Sequence, residues 1–119
     1  MSAAIYHRKL ERMLERMGAL YTLNDILTAI AEGRMQSFSY ANSWAITQVN
    51  QYPRARVLQL IAYVGDLEDI DALQAKIFDY AAGENIGLIS AFGRIGWIEP
   101  AKMRGWRLKA KSYLFHKDL

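Results

Sequence analysis

The sequence predicts one α+β domain with a mixed, mostly antiparallel sheet, helices on both faces and an additional amphipathic helix at the N-terminus. Three observations carry this. The segments 3–20 and 67–82 place apolar residues at helical spacing. The segments 36–40 and 43–49 flank a two-residue link, Ala41-Asn42, as the strands of a hairpin do. Between them and the second helix pattern lies Arg56 to Val64, almost all apolar, as expected of a central strand covered on both faces.

The first helix is expected from about Ala3 to Leu20. Tyr6, Leu10, Met13, Leu14 and Met17 fall at i, i+4, i+7, i+8 and i+11, with Arg8, Lys9, Arg12, Glu15 and Arg16 elsewhere. Glu11–Glu15 and Arg12–Arg16 are like-charge i, i+4 pairs, so packing rather than surface pairing must hold this helix. A second helix starts near Thr22, with Asp25 as its capping-box partner, buries Ile26, Leu27 and Ile30, and ends around Gly33.

In the hairpin that follows, Trp44, Ile46 and Gln48 share one face, and Ala45, Thr47 and Val49 the other. Pro53 ends this run because it has no amide hydrogen to donate. Asp66 is the expected cap of the helix from Leu67 to Ala82, which turns Ile70, Leu73, Ile77, Tyr80 and Ala81 inward and stops at Gly83. A short strand over 88–92, a Gly93-to-Trp97 turn, a two-turn helix over 97–104 and a last alternating strand over 108–115 complete the order. No linker or internal repeat divides the 119 residues.

Composition limits the chemistry. Apolar residues make up 52% of the chain and charged ones 23%, the balance of a globular domain. Cysteine is absent, which excludes disulfides, thiolate metal sites and a Cys nucleophile. His7 and His116 stand at opposite ends, so neither a metal centre nor a catalytic triad is expected. No apolar run reaches the ~20 residues of a membrane span and no signal-peptide pattern opens the chain, so no membrane partner and a cytoplasmic location are expected. The net charge of +3 is unevenly laid out. From Asp66 to Glu84 six acids face Lys76 alone; from Arg94 onward seven bases face Glu99 and Asp118. Arg107, Lys109 and Lys111 alternate along the last strand, and a solvated face is expected there rather than a nucleic-acid surface.

Strand, helix, strand, a short helix closing at Gly105-Trp106, then strand resembles the GNAT N-acetyltransferase fold over roughly residues 22–119. The order is most similar to the small, divergent GNAT-like proteins of bacteriophages and prophages. That resemblance implies acyl-CoA-dependent N-acyl transfer with acetyl-CoA as cofactor, in a bacterial host's cytoplasm or in a virion. Active members carry Arg/Gln-x-x-Gly-x-Gly/Ala where this chain has Val64-Gly65-Asp66-Leu67-Glu68-Asp69: one glycine, no base and three acids. Many carry a tyrosine four residues before the Gly-aromatic pair to protonate the CoA thiolate; Ala101 stands at that position, and a methyl group donates no proton.

The cofactor-binding candidates are therefore Val64 and Gly65 of the turn together with Arg94, whose guanidinium could hold a phosphate at the start of the next helix beside Trp97. Trp97 is equally read as an anchor of that helix to the sheet. No catalytic residue is assigned. Tyr63, Tyr80 and Tyr113 are the substitute proton donors, and Arg54 and Arg56 are expected to be solvated loop charges. The alternative function is a non-catalytic interaction or virion-associated protein. It would dock a protein partner or a second copy through the N-terminal helix, whose Met13 and Met17 suit an adaptable contact.

Overall fold

Two antiparallel ladders and one parallel ladder build the sheet. The computed structural model describes residues 3–16, 20–92 and 95–107, with Lys109, Lys117 and Asp118 besides. All of the strand expected over 108–115 except Lys109, and the residues Gly93 and Arg94, lie outside that set. The described elements run α1 (Ala3–Arg16), α2 (Leu23–Ala31), β1 (Gln36–Tyr40), β2 (Ser43–Gln51), β3 (Arg56–Val64), α3 (Ile70–Gly83), β4 (Ile89–Ala91) and α4 (Ile98–Met103). The strands lie in the order β1-β2-β3-β4, with β3 and β4 parallel.

Thr22 caps α2 as the sequence predicts: its hydroxyl accepts from the Asp25 amide at 3.1 Å, and its own amide donates to Asp25 Oδ2 at 2.9 Å. Ile26 and Ala29 are the residues α2 buries, whereas Leu27 is exposed. Leu23 and Ile30 are half-buried and pack against the same core. Ala41, at φ +48°, makes the hairpin link.

Alternation divides the core. Trp44, Ile46, Ala62 and Val64 pack with Leu10 and Leu14 of α1 and Ile26 and Ala29 of α2. Ala45 and Leu58 pack on the other face with Leu73, Ile77 and Ala81 of α3. Helices therefore cover both faces, and α1 and α3 lie on opposite sides of the sheet. The ladder between β2 and β3 shifts after Ile46–Ala62, for Thr47 pairs with Leu60. Ile61 is the extra residue of a bulge on β3, and it packs with Ala62 on the α1 face.

Asp66 does not cap the following helix through its side chain. A 3-10 turn, Leu67–Asp69, intervenes and moves the start of α3 to Ile70. At its far end Ile86 N–H donates to Ala81 C=O at 2.8 Å, with Asn85 in the left-handed region. Arg56 is not a free loop charge; it donates to the Glu84 carbonyl at 3.0 Å, at the negative end of α3. No helix among the described residues is long and apolar enough to cross a membrane.

Candidate functional site

The turn between β3 and α3 is built from both ends of the hairpin sheet. Antiparallel pairing sets Trp44 opposite Val64, which brings Ser43, the first residue of β2, beside Gly65. Gly65 adopts φ +135°, and a Cβ placed there would lie 2.5 Å from Ser43 Cα. Glycine is required here by the approach of another backbone. The Ser43 hydroxyl accepts from the Asp66 amide at 2.8 Å and donates to Asp69 Oδ2 at 2.6 Å. Ser43 is 0% and Asp69 6% exposed, so this is an interior polar pair. Asn42 Nδ2 reaches Asp66 Oδ2 at 3.3 Å from the neighbouring hairpin link.

Of the three cofactor-binding candidates, Val64 and Gly65 stand together in this turn, and Arg94 lies outside the described residues. The Val64 side chain is in the α1 core, which leaves only its main chain for the turn. Ser43 and Asp69 are the residues that sequence reasoning passed over. The available signal was a lone glycine followed by acids, since a glycine without a phosphate-binding companion asks what fills its empty side.

Tyr63 donates its hydroxyl proton to the Asp66 carbonyl. Burial pushes its phenol above the ordinary value of 10.0; the Ser43 hydroxyl pulls the other way, Asp69 and Asp66 add to the rise, and Arg104 opposes it. The group is therefore held neutral, with its proton committed to a main-chain acceptor. Trp97 meets the Tyr63 ring edge-on, with centroids 5.7 Å apart at 78°, and so anchors the α4 segment to the sheet. Trp106 Nε1 donates to Gln74 Oε1 at 2.6 Å, and Arg104 Nε to Asp71 Oδ1 at 2.8 Å, which ties the end of α4 to α3.

Pairing between β3 and β4 stops at Leu60–Ala91, while β3 runs on to Val64. Strand β4 itself ends there, at Ala91. Gln59 of β3 accepts from Asn50 Nδ2 and is engaged. Ala101 lies half-buried on α4 with no polar group. A surface hollow of about 420 Å³ opens nearby between Asp71, Gln74, Met103 and Arg104. Among the described residues no group of three or more His, Cys, Asp or Glu could hold a metal ion.

The fold is GNAT-like: a mixed, mostly antiparallel sheet with helices on its faces. An acetyltransferase of Trypanosoma brucei shares it with a TM-score of 0.57 at 15% identity, over 95% of this chain and 94% of that one. A tetramutant of the Bacillus halodurans protein BH1408 gives a TM-score of 0.64 at 9% identity, over 97% and 91% of the two chains. The wild-type Thermus thermophilus protein TTHA1254 gives 0.61 at 13% identity, over 81% and 79%. No protein-family model and no curated protein matches the sequence. At these identities the likeness is one of fold.

Proposed function

We propose that this chain is a non-catalytic member of the acyltransferase-type scaffold, working through protein contacts on its surface. One observation carries this: the turn that would take the cofactor is filled from within the chain. Ser43 occupies the space beside Gly65 and takes the Asp66 amide, and Asp69 lies buried beneath. Asp66, Glu68 and Asp69 already offset the positive end of the helix, so a diphosphate would meet like charge there. A virion-associated role in a bacterial host is the setting that the phage-type resemblance suggests.

The second reading, acyl-CoA-dependent N-acyl transfer with acetyl-CoA held near Val64, Gly65 and Arg94, is favoured by a different feature. Strand β3 extends past the end of its pairing with β4 and leaves the edge of Ile61 to Val64 without a β4 partner. Titration calorimetry of the full chain with acetyl-CoA and with free CoA separates the two. No heat of binding is expected; micromolar affinity would move the assignment to the acyltransferase.

A further inference from the structure

Helix α1 carries a row of arginines on its exposed surface. Arg8, Arg12 and Arg16 recur every fourth residue, and all three are exposed. None is among the ion pairs of the described residues; Arg16 Nε instead reaches back to the Arg12 carbonyl at 3.4 Å. Like charges at i, i+4 weaken a helix, and Glu11 and Glu15, three residues after Arg8 and Arg12, offset part of that repulsion.

The outer face of α3 is its complement. Asp71, Ala75, Phe78, Asp79 and Ala82 fall at i, i+4, i+7, i+8 and i+11, and each is exposed. Phe78 stands 45% exposed among the two alanines, and the Asp71 side chain keeps 73% of its surface although Arg104 holds one oxygen. Lys76, the only base of this helix, is turned to the sheet edge, where it donates to Ser39 C=O at 2.7 Å and lies over the Tyr40 ring. The outward stripe is therefore acidic at both ends, with an aromatic ring between.

The two rows match in length. Arg8 to Arg16 and Asp71 to Asp79 each span eight residues, or about 12 Å along a helix axis. Arg12 then falls over Ala75, and the arginine opposite Asp79 lies beside Phe78, where a guanidinium finds a ring face. Because α1 and α3 lie on opposite faces of the sheet, one chain cannot bring them together.

We propose that α1 of one copy docks through Arg8, Arg12 and Arg16 on the outer face of α3 of a second copy. The two patches differ, so the contact is head-to-tail and propagates into a ring or an open chain. This goes beyond the interaction-protein reading, for it holds whether or not the β3–α3 turn accepts acyl-CoA.

Sedimentation velocity of the full chain, from micromolar to sub-millimolar, provides the test. The mass is expected to rise with concentration from the 13.6 kDa of one chain toward its multiples. That rise should be lost between about 50 mM and about 500 mM salt, as screened charge pairs require. The triple variant Arg8→Glu, Arg12→Glu, Arg16→Glu and the double variant Asp71→Lys, Asp79→Lys should each remain monomeric. Mixed together they should associate again, because each restores the complement the other lost. Phe78→Ala, which leaves every charge in place, should weaken association at least tenfold, with folding checked by circular dichroism. A wild-type chain that stays monomeric at low salt overturns the proposal. So does a mixture that fails to reassociate, association that persists in both charge variants, or an arginine row that binds a DNA duplex without self-association.

Discussion

Ser43 and Gly65 are in backbone contact across the mouth of the sheet: a Cβ at Gly65 would sit 2.1 Å from Ser43 Oγ and 2.5 Å from Ser43 Cα. The overlap involves main chain, which cannot swing aside. Gly65 also holds φ +135°, which a side chain rarely tolerates. Gly65→Ala is expected to lose roughly 3 kcal/mol of stability, the combined cost of overpacking and backbone strain. Chemical unfolding measures it; a loss below about 1 kcal/mol would show that the turn relaxes freely.

The Ser43–Asp69 pair makes a second expectation. Asp69→Ala leaves the buried Ser43 hydroxyl without its short acceptor and should cost about 1–3 kcal/mol. Ser43→Ala strands a buried carboxylate and should cost at least as much. The double variant should lose less than the sum of the two, with a coupling of about 1 kcal/mol or more in a double-mutant cycle. Additive losses would mean that the two residues stabilise the fold independently.

Tyr63 predicts an alkaline sensitivity. Its phenol lies above 10.0 in the folded chain, chiefly through burial, so above that pH the folded state holds a proton that the unfolded chain releases. Stability from this group is complete below the unfolded value and is lost as pH rises through the folded one. Melting curves taken between pH 8 and 11 should fall more steeply for the wild type than for Tyr63→Phe. Parallel curves would place the alkaline transition elsewhere.

Thr22→Ala tests the N-terminal side of the structure. Removing the hydroxyl half of the capping box with Asp25 should cost about 1 kcal/mol, and Thr22→Asp should restore most of it.

How far these features are readable in the sequence depends on their range. Strands β1 and β3 have the ends that their residues predict, because Ala41-Asn42 and Pro53 punctuate them locally. The Thr22–Asp25 box is also local, three residues across. Asp66 shows where local logic fails. It is the first acid after the strand, but the 3-10 turn displaces the helix start, and Asp69 is the residue drawn inside. Its partner Ser43 is 26 residues away, a distance no periodicity spans. The candidate site was thus legible as a turn with a glycine and acids, and its contents were not. Arg94 and all of the expected C-terminal strand except Lys109 lie outside the described residues.

Thermal unfolding of the full chain with and without millimolar acetyl-CoA tests most directly whether the β3–α3 turn is closed from within. The midpoint is expected to be unchanged by acetyl-CoA and by free CoA. A ligand at ~100 times its dissociation constant adds about 2.7 kcal/mol and raises the midpoint by several degrees. Such a rise would contradict the account and make the turn beside Gly65 a working cofactor site.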